Sequence, residues 1–128
     1  MLVSWGEITP ALDGRHGHEV LMPPPSLPVA VAALESALAP VFAQNDYPPL
    51  FWRHHGSLRS RTGIERVVRE CLDNLSLAAV DPAGRVVLDA GCGFGISCVL
   101  LALLGASEVH GIDVVPSKIE TFDRIAGL

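Results

Sequence analysis

From Thr62 onward apolar residues recur with the period of a helix. Ile64, Val67, Val68, Cys71, Leu72 and Leu75 stand at i, i+3, i+4, i+7, i+8 and i+11. That is one continuous stripe along a helix face. Thr62-Gly63-Ile64-Glu65 has the spacing of a capping box, and Glu65 and Arg69 form an i, i+4 pair in the favourable order. A second stripe, Leu27, Val31, Leu34 and Leu38, predicts an earlier helix. Pro28 suits its first turn, and Pro40 should end or kink it. Residues 1–25 show no such period and read as an irregular lead-in, with Pro23-Pro24-Pro25 a short extended element. Asn45 to Pro49 reads as a turn.

After Asp81-Pro82-Ala83-Gly84, a turn signature, the period changes. Arg85 to Asp89 is a short β-branched run, as expected of a strand buried on both faces. Ala90 to Gly95 is rich in glycine. Ile96 to Leu104 is apolar nearly all round and predicts a buried helix that Gly105 stops. Glu108 to Asp113 reads as a second strand. Pro116 then opens a helix with Ile119, Phe122 and Ile125 on its inner side. Strand, loop, helix, strand and helix in that order make a βαβ unit with parallel strands and a right-handed crossover. The fold class is α/β, doubly wound, preceded by a helical N-terminal segment. Proline marks the division: eight of ten prolines lie at or before Pro49, and nine of twelve glycines at or after Gly56. We therefore divide the chain into residues 1–61, irregular plus one helix, and residues 62–128.

Composition narrows the function. In 128 residues, 49% are hydrophobic and 18% charged, which rules out disorder throughout. The net charge of -5 makes a general nucleic-acid binder a poor candidate. Three cysteines, Cys71, Cys92 and Cys98, cannot all pair within the chain, and none has C-x-x-C spacing. That argues against a disulfide scaffold or structural zinc and for a reducing, cytoplasmic setting. Residues 1–20 lack the basic and apolar regions of a secretory signal, and no apolar stretch reaches the ~20 residues of a membrane span.

The chemistry concentrates in Asp89-Ala90-Gly91-Cys92-Gly93-Phe94-Gly95. Three alternate glycines permit a sharp turn from strand to helix and clear side chains from the backbone. Helix-start amides beyond a parallel strand end face the crevice where open sheets bind ligands. Asp113 follows 18 residues after Gly95, at the end of the second strand. A carboxylate there can accept from both hydroxyls of a ribose. A dinucleotide loop wants a small residue where this chain has Ile96, and Asp89 would repel a pyrophosphate. A cationic ligand fits better.

These residues, with Gly111-Ile112-Asp113, resemble the first two motifs of class I S-adenosylmethionine-dependent methyltransferases. The resemblance spans about residues 62–128 and implies an incomplete Rossmann-like methyltransferase fold with two of seven strands. It implies that Asp89, Gly91, Cys92, Gly93 and Gly95 wrap the methionine part of S-adenosylmethionine. By the same resemblance Asp113 would hold the ribose hydroxyls and Val114 would lie against adenine. In the family's strand order the first strand has a neighbour on each side, so here the edge at Val86–Asp89 is expected to be bare. It could pair with another chain. The implied parent function is methyl transfer, with a small-molecule acceptor expected from the acidic charge and the short N-terminal segment. The catalytic residues are unassigned, and the fragment alone is expected to be inactive. The alternatives are an NAD(P)-dependent oxidoreductase fragment, a non-enzymatic truncated product, or a half-domain completed by another chain.

Other residues carry less. Cys92 lacks an activating partner in sequence and reads as a loop filler rather than a nucleophile. His16-Gly17-His18-Glu19 gives no fixed geometry for a metal. His54 and His55 should diverge and be solvated or capping, with a catalytic base as the alternative. Tyr47, Phe51, Trp52, Arg53, Arg59 and Arg61 either line an acceptor pocket or reach the cofactor carboxylate. Otherwise the aromatics cover the core and the arginines are solvated.

Overall fold

A computed structural model describes the backbone of residues 3–5 and residues 25–127. The first helix, α1 (Leu27–Ala43), buries Ala30, Val31, Leu34, Leu38 and Val41. It runs through Pro40 rather than ending there. The proline forfeits the one bond its amide would give the Ser36 carbonyl, and burial of Leu38 and Val41 on either side of it holds the last turn in place. Then α2 (Pro49–His55), not foreseen in sequence, continues into a 3-10 turn at Gly56–Arg59. It starts on Pro49, whose fixed φ suits a first helical position.

The clearest predicted helix is α3 (Arg61–Leu77). Its N-cap is Ser60, not Thr62: the Gly63 amide donates to Ser60 Oγ at 3.1 Å. A cap requires extended backbone, and Ser60 has it with ψ 144 whereas Thr62 is already helical. The Arg69–Glu65 pair forms as expected, at 2.9 Å.

The sheet has three strands in the order β1 (Val3–Trp5), β3 (Glu108–Ile112), β2 (Val86–Ala90). As expected, β2 and β3 are parallel, with Val87 opposite Val109 and Asp89 opposite Gly111. The strand β1 lies in the stretch read as an irregular lead-in. It pairs antiparallel with β3, Ser4 opposite His110.

The helix α4 (Ile96–Leu103) is apolar all round because it is covered on two sides. Ile96, Val99 and Leu100 join the core formed by α1, α2 and α3, with Leu34, Leu38, Phe51 and Val68 fully buried. Cys98 and Leu101 join a second core with Val109 and with Ile119 and Phe122 of α5 (Pro116–Ala126). Fully burying one such aliphatic or phenyl side chain is worth about 1.5–3 kcal/mol.

One expectation for β2 fails. Val86 and Leu88 are 65% and 60% exposed, so the strand is not buried on both faces. Pleating places Val87 and Asp89 toward α4, while Val86, Leu88 and Ala90 share the opposite face with Glu108, His110 and Ile112. None of those six is buried. Among the described residues only β3 pairs with β2, so its outer edge is open.

Candidate functional site

The site lies at the carboxyl ends of β2 and β3. Both Gly91 N–H and Cys92 N–H donate to the Ile112 carbonyl, at 2.7 and 3.0 Å, which draws the glycine loop across the end of β3. Gly91, Gly93 and Gly95 all have positive φ, at 86, 58 and 81°. They serve different ends. A Cβ on Gly95 would stand 2.1 Å from the Phe122 ring, so this glycine lets α4 and α5 close together. A Cβ on Gly91 or Gly93 would meet nothing within 4 Å. Their backbone lines an open cradle that a side chain would occupy.

Asp113 closes the cradle. Its Oδ2 accepts from Gly93 N–H at 3.0 Å and its Oδ1 from Val115 N–H at 2.8 Å. These bonds, Val115's first, hold the carboxyl below the usual range. Each oxygen keeps a second lone pair for an incoming hydroxyl. Val114, beside it, is 96% exposed, an apolar side chain held out at the cradle's rim.

Asp89 turns toward α4. Its carboxylate accepts from the Ser97 hydroxyl and from the Cys98 thiol, the latter at 3.5 Å. Burial, then the charges of Asp89 and Asp113, pushes the Cys92 thiol up. A thiol so held is a poor nucleophile, which agrees with a filler role. Burial likewise raises Cys98. All three cysteines are free.

The loop's remaining side chain ties it to the N-terminal helices. Phe94 is 4% exposed and meets Phe51 edge-on at 5.4 Å and His55 edge-on at 5.5 Å. Tyr47 and Trp52 stack behind Phe51. These aromatics cover the core rather than line a pocket. Arg59 lies over the Trp52 ring at 4.1 Å, Arg61 pairs with Glu35 at 3.1 Å, and Arg53 is exposed. From α5, Arg124 binds Gln44 at 2.8 Å, reaches Asp46, and lies over Tyr47 at 4.2 Å.

His54 is exposed, as the solvated reading expects, while His55 is half-buried. With Asp89, Gly93, Phe94 and Ser97 they line a cavity of about 610 Å³ between α2, α3 and the loop. Burial, then the charge of His54, lowers His55 to about 4, so its ring is neutral at physiological pH. No signal in sequence joined these histidines to the loop, because the contact is made by packing across 39 residues of chain from His55 to Phe94. The motif His16-Gly17-His18-Glu19 lies outside the described residues. Among the described residues no group of three or more His, Cys, Asp or Glu could hold a metal ion. Nor is any helix there long and apolar enough to cross a membrane.

Residues 62–123 match the family model described as ribosomal protein L11 methyltransferase (PrmA). Over 60 residues the chain is 42% identical to the ribosomal protein L11 methyltransferase of Janthinobacterium sp., covering 47% of this chain and 19% of that protein. With the enzyme of the same name from Methylococcus capsulatus it shares 43% over 58 residues, 45% of this chain and 19% of the relative. With that of Paraburkholderia xenovorans it shares 42% over 60 residues, 47% and 19%. The chain thus spans about a fifth of the length of these curated relatives. No solved structure matches it. The resemblance to class I S-adenosylmethionine-dependent methyltransferases holds over the matched residues, and the helices and parallel strands there form part of a Rossmann-like methyltransferase fold.

Proposed function

We propose that this chain carries the S-adenosylmethionine-binding part of a methyltransferase. The observation that carries the reading is the cradle: two positive-φ glycines, Gly91 and Gly93, with open space where Cβ atoms would be. Asp113 stands at its rim, already fixed by two amides. When bound, S-adenosylmethionine supplies an activated methyl on a positively charged sulfur. The chain's own part is to bind and orient. The Gly91–Gly95 backbone admits the methionine portion, Asp113 accepts from the ribose hydroxyls, and exposed Val114 offers an apolar surface to adenine. Asp89 adds negative charge beneath the loop, and the positions of Ser97 and Cys98 hold it there.

The relatives are named for a ribosomal protein. That supports a protein acceptor over the small molecule expected from charge. The open edge of β2 is the place for a further strand, from the same polypeptide or another chain. The nicotinamide reading finds less support. Ile96, where close dinucleotide packing wants a small residue, is 4% exposed and packed into the helical core.

Calorimetric titration of the chain with S-adenosylmethionine and, separately, NAD tests the reading. Heat of binding with the first alone is expected. Binding of NAD alone would overturn it. Asp113→Ala should weaken S-adenosylmethionine at least about tenfold, since the ribose hydroxyls lose the carboxylate that accepts from them.

A further inference from the structure

The outer edge of β2 carries free backbone groups in a defined phase. Ser107 N–H donates to the Arg85 carbonyl at 2.9 Å and Gly91 N–H to the Ile112 carbonyl at 2.7 Å. Arg85, Val87, Asp89 and Gly91 therefore turn their backbone groups toward β3, while Val86, Leu88 and Ala90 turn theirs outward. The side chains alternate as well. Val86 and Leu88 stand exposed on one face, and Arg85 and Asp89 share the other with Val87. Exposed Arg85 makes no ion pair or side-chain hydrogen bond among the described residues. Ser97 and Cys98 both donate to Asp89 Oδ2, which leaves Oδ1 open. The cavity beside the glycine loop runs along the same edge, with Val80, Val87 and Leu88 in its wall.

Residues 85–89 thus run cation, apolar, apolar, apolar, anion, a pattern that is its own complement when the direction is reversed. We propose that this edge binds a second copy of the chain, β2 against β2, antiparallel about a two-fold axis through Val87. In that register Val86 of each copy stands opposite Leu88 of the other. Both have outward backbone groups, so each such pair exchanges both of its N–H···O bonds. Their side chains meet as apolar cross-strand pairs. Arg85 of each copy stands opposite Asp89 of the other, in a non-hydrogen-bonded pair, where side chains approach more closely. Opposite charges facing each other in this way stabilise the pairing. Centring the axis on Val86 or Leu88 instead loses both ion pairs. The charges thus select the register, and they select a second copy over a strand without a cation at one end and an anion at the other. None of these contacts uses the loop's glycines, so the pairing holds whatever the cradle binds.

Static light scattering over a concentration series measures the pairing, with circular dichroism reporting the fold. The wild-type mass should rise toward that of two chains. Val86→Pro removes an outward N–H and leaves the bonds to β3 in place, so the mass should stay at one chain with the spectrum unchanged. Arg85→Glu alters only an exposed side chain and sets like charges opposite each other, so the dissociation constant should rise at least about tenfold. That variant carries the test should the proline disturb the strand. The register is read separately. Carbodiimide treatment of Arg85→Lys should join position 85 of one copy to Asp89 of the other, located by mass spectrometry in the two-chain band. Within one chain the two positions lie roughly 13 Å apart along the strand, too far to be bridged. A wild type that stays at one chain throughout the series overturns the proposal and leaves the edge to a strand of another sequence. Dimers that persist undiminished in either variant, or cross-links at other positions only, place the contact elsewhere and overturn it as well.

Discussion

The three loop glycines look alike in sequence, but their surroundings predict opposite phenotypes. Gly93→Val places a branched side chain in open space at φ 58°. The strain is of the order of 1–2 kcal/mol, so the fold should survive while S-adenosylhomocysteine affinity falls at least about tenfold. Intact circular dichroism with unchanged affinity would reject the cradle. Gly95→Ala drives a methyl to within 2.1 Å of Phe122 and should cost about 1–3 kcal/mol of stability, read as a lower Tm. Asp113 brings a pH dependence. Its carboxyl is held low by Val115 N–H and then Gly93 N–H, so its contribution is complete above the unfolded value, about 3.9. It is lost only as pH falls through the depressed folded value. The Gly93 amide signal in nuclear magnetic resonance should therefore hold its position at pH 5–7 and move below about pH 4. A shift centred near neutrality would show that another group controls the loop. Gly91, Gly93, Gly95 and Asp113 were legible in sequence because a strand end, its loop and the next strand end are close together along the chain. His54 was not, since it reaches the same place only through tertiary packing.

Elements are held by caps and contacts that a hydropathy pattern locates only to within a turn. Ser60 and Thr62 both offer hydroxyls near the start of α3, and a capping box at Thr62–Glu65 is the natural reading of the spacing. The extended backbone falls at Ser60 instead. Ser60→Ala should then cost about 1 kcal/mol and Thr62→Ala far less, measured by urea denaturation. Equal losses would restore the box. The helix α2 escaped notice because seven residues beginning at paired prolines carry no full apolar period, yet Phe51 from it is fully buried against the loop's Phe94. The strand β2 was legible as a strand but not in its exposure. An apolar run records what could be buried, not which neighbours are present to bury it.

At the scale of the whole molecule, the helices α1 to α3 and the βαβ unit share one core. Phe94, Ile96, Val99 and Leu100 pack with Leu34, Leu38 and Phe51, so the division at residue 61 is a change of composition rather than a break in packing. The sheet treats its two edges differently. On one side β1 runs antiparallel along β3; on the other β2 ends in free backbone and exposed Val86 and Leu88. Among the described residues both outer strands are edges, but β1 offers three residues and β2 five. Two copies joining β2 to β2 about a two-fold axis bury the longer edges and leave only the short β1 edges facing outward. Self-association through the sheet should therefore favour pairs over fibres, and sedimentation velocity at rising concentration should show the dimer as the main associated species. Deleting residues 1–5 would bare the five-residue flank of β3 and should let larger species appear.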